Sequence, residues 1–199
     1  MLLVRRLFLQ FDAESRPIAD ISETFAIPEG VSLLVGASGS GKTSLLRLMS
    51  GWYESDLENP RSFLLDANFD PLRDVEFIGN HQTLLPWYTV RKNIALRESQ
   101  AASDDALKYW IEAGLPADAI DKFPYELSLG MYKRAELVAA LGGVSRVLFL
   151  DEFFSSLDPD ARERCLGLIE RKCTNGKAVL ITTHTPEAFP RKALCRCFR

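Results

Sequence analysis

The run Gly36-Ala37-Ser38-Gly39-Ser40-Gly41-Lys42-Thr43 fits the pattern G-x-x-x-x-G-K-[ST], a spacing suited to a triphosphate. Glycines let the backbone turn tightly, so successive N–H groups can point at one phosphate chain. A helix opening at the end of the run adds the positive end of its dipole. Lys42 has the reach for the β- and γ-phosphates, and the Thr43 hydroxyl is a hard oxygen ligand for Mg²⁺. The alternative is an ordinary glycine turn, and the flanks decide between the two. Val31–Val35 reads as a buried strand and Ser44–Met49 as a helix, which is the context the motif needs. Chemistry is concentrated again at Asp151-Glu152, after Val147-Leu148-Phe149-Leu150, and at His184, after Lys177–Thr183.

These groups need a scaffold. The apolar run Val147–Leu150 suits a parallel sheet covered on both faces. Such sheets bind ligands at the carboxyl ends of their strands, where Asp151, Glu152 and His184 would stand. Leu2–Phe11, Ile18–Ile27, Phe63–Asp66 and Val75–Ile78 read as further strands, with a turn at Arg16-Pro17. From about Val90 to about Leu141 the chain reads as mostly helical. Ser103-Asp104-Asp105 starts one helix, with Leu107, Trp110, Ile111 and Gly114 on one face and Gly114 placed to stop it. Leu127–Met131 opens another, running to about Leu141. Asp158-Pro159 caps and starts a helix through about Cys173, and Asn175-Gly176 ends it. Phe11, and more weakly Phe8, could stack on a nucleotide base or be core residues. Leu84-Leu85-Pro86-Trp87-Tyr88 is an apolar run that reads equally as an exposed docking surface or as buried loop.

The 199 residues suffice for one large domain, and a net charge of -3 gives no footprint for nucleic acid. Arg5-Arg6 follows Met1–Val4 at once, so a signal peptide is not expected. No stretch approaches the ~20 apolar residues of a membrane span. The expected location is therefore cytoplasmic, with any membrane role through a partner. Cys165, Cys173, Cys195 and Cys197 are expected to be free thiols, since the C-x-C pair is too close for the usual zinc spacing.

In order, the phosphate loop, Gln82, Leu127-Ser128-Leu129-Gly130-Met131, Leu148–Glu152, Ser155-Ser156-Leu157-Asp158 and Thr183-His184 resemble the ATP-binding subunit of an ABC transporter. The likeness runs from about Leu7 to about Phe189. It implies an α/β fold: a P-loop NTPase (RecA-like) core with an antiparallel β edge and an inserted helical lobe. That is one domain over 1–199, with the core in 1–82 and 142–199 and the lobe in 83–141. It implies ATP and Mg²⁺ as cofactors, bound by Gly36, Ala37, Ser38, Gly39, Ser40, Gly41, Lys42, Thr43 and Ser44, with the aromatic Phe11 the candidate to stack on the base. Thr43, Gln82 and Asp151 would serve the metal. Glu152 would be the general base, with Gln82 meeting metal and water and His184 meeting the γ-phosphate.

Ser128 and Gly130 match part of the family signature LSGGQ, which faces the ATP of a second subunit, and Asp158 resembles the aspartate at that junction. The resemblance therefore implies a dimer of ATP-binding subunits, expected to be identical, peripheral on the inner face of the membrane. Its further partners would be integral permease subunits and, for import, a solute-binding protein. Leu84–Val90 resembles the segment found in nitrate and sulfonate importers, which favours import of a small solute. An exporter ATPase and a soluble ABC-type ATPase of a non-transport assembly are the alternatives. Four positions depart from the family pattern: Leu129 for glycine, Met131 for glutamine, Phe153 for proline and Ala139 for arginine. Leucine takes up glycine-only backbone angles at a cost, so a slower ATPase is expected. The chain ends soon after His184, which leaves no expected room for a C-terminal regulatory domain.

Overall fold

The structure, a computed structural model, describes residues 2–9, 19–21, 25–52, 62–65, 69–79, 81–97, 103–173, 176–186, 189 and 193–195. Strands β1 (Leu2–Leu9), β2 (Ala19–Ile21) and β3 (Phe25–Ile27) lead into β4 (Gly30–Val35) and helix α1 (Lys42–Met49). Next come β5 (Ser62–Leu65), the short helix α2 (Pro71–Asp74), β6 (Val75–Ile78), α3 (Val90–Arg97), α4 (Ser103–Glu112) and α5 (Leu129–Gly142). The chain continues with β7 (Val147–Asp151), α6 (Pro159–Cys173), β8 (Ala178–Thr183) and β9 (Ala193–Cys195).

Two sheets result. One is antiparallel: β1 pairs with β3 at its start, with β2 at its far end, and with β5. The expected single strand Ile18–Ile27 is thus two short strands, each following a different part of β1. The other sheet is parallel, in the order β6-β7-β8-β4-β9. β9 was not expected from the sequence, because three residues among arginines and cysteines carry too little alternation to read as a strand.

The parallel sheet is buried on both faces, and its alternation sorts side chains into two cores. Leu148, Leu150, Val179, Ile181 and Leu33 face one core with residues of α3–α6. Val147, Phe149, Ala178, Leu180 and Leu34 face the other, with Leu45, Leu46, Leu48 and Met49 of α1 and with Leu2, Val4 and Ile27 of the antiparallel sheet. That is why β7 and β8 are buried along their whole length.

The helices begin and end where local chemistry directs. Asp158 Oδ1 accepts the Ala161 N–H at 2.8 Å at the start of α6, and Gly176 follows its end at φ 89°. Gly114 closes the turn after α4 at φ 71°. The face expected to be apolar on α4 is only partly inward: Trp110 is fully buried and donates to Pro116 O at 2.8 Å, whereas Leu107 and Ile111 are exposed. Among the described residues no helix is long and apolar enough to cross a membrane. Cys165 and Cys173 are free thiols, and burial pushes them up to about 12 and about 11, which makes them poor nucleophiles. The side chain of Cys195, and Cys197 as a whole, lie outside what is described.

Candidate active site

β4 ends at Val35, and the phosphate loop crosses from there to α1. Gly39 and Gly41 sit at φ 78° and 88°, backbone angles that a side chain would strain. A Cβ at Gly39 would meet no atom within 4 Å, so the loop is open on that side. Ser40 Oγ is buried without a hydrogen-bond partner, and such an atom suits an anionic oxygen. Lys42 is buried, and its Nζ donates to Gly36 O and Ala37 O, both at 2.8 Å. An ammonium has three donors, so one remains for a phosphate.

The strand order brings three chain segments to one edge. β8 lies between β7 and β4, with Thr182 in register with Asp151 on one side and Leu34 on the other. Thr43 Oγ1 donates to Asp151 Oδ2 at 2.7 Å. Thr182 Oγ1 donates to Asp151 Oδ1 at 2.7 Å and accepts the Glu152 N–H at 2.8 Å. Glu152 stands at φ 48°, the non-glycine residue with left-handed backbone among those described. Its carboxylate is half-exposed, with Oε1 3.9 Å from His184 Nδ1. The donor set fits Mg²⁺, which keeps waters and takes one or two protein oxygens beside those of phosphate. Thr43 and Asp151 would hold the ion, which neutralises phosphate charge when bound.

Gln82 is exposed, and its neighbours are pinned on both sides. His81 stacks on Trp52 at 5.5 Å, with Nε2 2.9 Å from Arg47 Nη2. Thr83 N–H and Oγ1–H both donate to Glu136 Oε1, at 2.9 and 3.0 Å, and Arg97 donates to Thr83 O at 2.8 Å. Leu84 N–H donates to Tyr132 Oη at 3.0 Å, and Lys133 Nζ donates to Gly79 O. Tyr132, Lys133 and Glu136 all belong to α5. Glu136 is fully buried, and desolvation raises its carboxyl above the ordinary value against the pull of Lys133 and Thr83. Sequence reasoning missed Glu136 and Thr182. An acid in the middle of a helix reads as surface, and a threonine in a strand reads as an ordinary β-former.

The run 84–88 divides between its two readings: Leu84 is buried, while Trp87 and Tyr88 are exposed. Ser128 and Gly130 stand at the start of α5, on a different element from the phosphate loop. Ser128 Oγ caps the helix, accepting Met131 N–H at 3.3 Å. Leu129 is 64% exposed and opens α5 with a backbone outside the left-handed region. The strain expected for leucine there is absent, because the position is helical. Ala139 is fully buried in α5, and Phe153 packs edge-on against Phe154 at 5.0 Å. Phe11 lies outside the described residues, as does the side chain of Phe8.

Residues 21–155 match the profile of a family described as ABC transporter. A second profile, an AAA domain described as a putative AbiEii toxin of a type IV toxin–antitoxin system, matches 123–189. The chain is 36% identical over 167 residues to the aliphatic sulfonates import ATP-binding protein SsuB 2 of Agrobacterium fabrum, covering 81% of this chain and 62% of that protein. It is 30% identical over 176 residues to the cytochrome c biogenesis ATP-binding export protein CcmA of Rickettsia felis, covering 88% of this chain and 90% of that one. A bacterial ABC transporter cassette solved as a dimer superimposes with a TM-score of 0.74 at 19% identity, over 94% of this chain and 90% of the other. Phosphate loop, strand-end carboxylates, fold and relatives thus agree: the chain belongs to the ABC transporter family.

Proposed function

We propose that the chain powers solute import by hydrolysing Mg²⁺-ATP at the edge formed by Thr43, Asp151, Glu152 and His184. The observation that carries this is the direct Thr43–Asp151 contact of 2.7 Å, which joins the phosphate loop to the strand-end carboxylates. Residues 36–44 bind the triphosphate, with Phe11 on the base. Thr43, Asp151 and Gln82 serve the metal. Glu152 takes a proton from the attacking water, Gln82 orients that water, and His184 contacts the γ-phosphate.

Two copies complete each site, the Ser128–Gly130 turn of one meeting the ATP of the other beside Asp158. Supporting this, Gly130 needs no glycine for its own chain, since a Cβ there would meet nothing within 4 Å. The helical lobe, residues 83–141, passes movement to integral permease subunits at the inner face of the membrane, past Gln82 and the exposed Trp87. A solute-binding protein delivers the cargo.

Import is favoured by the sulfonate-import relative, of which this chain spans 62%. An export role has its own support, the 90% coverage of the cytochrome c biogenesis export protein. The deciding experiment purifies the tagged chain from membranes, identifies the permease bound to it and measures phosphate release and transport in vesicles of both orientations. ATP-driven accumulation from the outer side supports import, and the opposite direction supports export. Recovery only from the soluble fraction, with a soluble protein attached, would overturn the transport reading.

A further inference from the structure

We infer that Thr182 is a positioning residue for hydrolysis, its one buried hydroxyl fixing the Asp151 carboxylate and the backbone of Glu152 together. The inference rests on the ATPase reading above and extends it to a residue with no role there.

β8 runs between the strand that leads to the phosphate loop and the strand that ends in the carboxylates. Thr182 is therefore cross-strand neighbour to both Asp151 and Leu34. It is 1% exposed, and Asp151 is 3% exposed. Neither group has water to fall back on, so each polar atom needs a protein partner. The hydroxyl gives its proton to Asp151 Oδ1 at 2.7 Å and accepts the Glu152 N–H at 2.8 Å. Asp151 Oδ2 is taken by Thr43 at 2.7 Å. Two threonines, one on each oxygen, thus set the plane of the carboxylate that would face the metal. An outer partner of this kind orients a ligand without touching the ion.

The second hydrogen bond matters for a different reason. Glu152 occupies left-handed backbone, φ 48° and ψ 28°, a conformation that persists only where its surroundings enforce it. Thr182 holds its N–H, and Ser155 holds its C=O through Oγ at 2.7 Å and N–H at 3.2 Å. Released from Thr182, Glu152 can return to an ordinary conformation and its carboxylate swings from the position near His184. One hydroxyl therefore couples metal placement to the aim of the base.

The test compares the full chain with Thr182→Val, which keeps shape and strand propensity but lacks the hydroxyl, and with Thr182→Ser, which keeps the hydroxyl. Two readouts are taken: steady-state phosphate release, and the Mg²⁺ concentration for half-maximal binding of a fluorescent ATP analogue. Thr182→Val is expected to lower kcat about ten-fold or more, with KM for ATP within about two-fold. Its Mg²⁺ half-point rises several-fold, while binding of the analogue without Mg²⁺ is unchanged. Thr182→Ser restores both readouts toward wild type. Wild-type values in Thr182→Val would overturn the inference, as would a Ser variant as impaired as the Val one, since packing would then be responsible. If Thr182→Val and a further variant, Thr182→Ala, both fail to fold by circular dichroism while Thr182→Ser folds, the hydroxyl belongs to folding and the assignment also falls. A wild-type chain that binds nucleotide without releasing phosphate would refute the ATPase reading instead. The Mg²⁺ half-points would still decide for or against Thr182.

Discussion

Lys42 uses two of its donors on the carbonyls of Gly36 and Ala37, so the phosphate loop is held open by the residue that would also grip its ligand. Preorganisation of this kind lowers the ordering cost of binding. The roles at the catalytic edge separate by substitution. Glu152→Gln keeps the backbone and the Thr182 bond but cannot accept a proton. It is expected to bind ATP normally, lose about 10²- to 10⁴-fold in phosphate release and accumulate as an ATP-bound dimer on size-exclusion chromatography. Gly130→Ala separates folding from assembly. The added methyl meets open space within the chain, so thermal stability is expected to stay level or rise by up to about 1 kcal/mol. Phosphate release is expected to fall about ten-fold or more, because in the proposed dimer the methyl would stand where the partner's nucleotide approaches.

At the scale of elements, α5 is the member with most to do. Its first turn carries the signature residues, and its middle holds Gly79, Thr83 and Leu84 on both sides of Gln82. Glu136 is central to that hold, and its burial makes it pH-sensitive. Its carboxyl lies above the ordinary 4.5 in the folded chain. The stability it contributes is therefore fully present below about pH 4.5 and is lost as pH rises through the higher folded value. Glu136→Gln keeps an acceptor for Thr83 and removes the titration. Urea midpoints measured between pH 4 and 8 are expected to fall with rising pH in wild type relative to the Gln variant.

The motifs on turns and strand ends were legible in the sequence because their chemistry demands fixed residue types: Gly39 and Gly41, Asp151-Glu152, Asp158 before α6. What escaped depends on contacts distant in sequence. Glu136 reaches back 53 residues to Thr83, and Thr182 reaches 31 to Asp151, and no local pattern encodes either. Leu107 and Ile111 misled for the converse reason. Periodicity gives a helix face, but of the residues expected on it Trp110 is the large one that goes into the core, while Leu107 and Ile111 stay exposed.

Over the whole molecule, one parallel sheet serves two cores, and the site lies along its carboxyl edge, where α1, β7 and β8 converge. Stability and the proposed catalysis therefore share the same strands. β4 leads directly to the phosphate loop and is flanked by β8 and by β9, which pairs Ala193–Cys195 with Ser32–Leu34. Three residues late in the chain thus cover a margin of the sheet that would otherwise offer unpaired amides and carbonyls to any passing chain. A variant truncated before Ala193 is expected to self-associate through that bared margin, visible by light scattering as growth with protein concentration. An expression vector trimmed to the recognisable motifs, stopping just past His184, would yield a protein that sticks to itself for reasons unrelated to nucleotide chemistry.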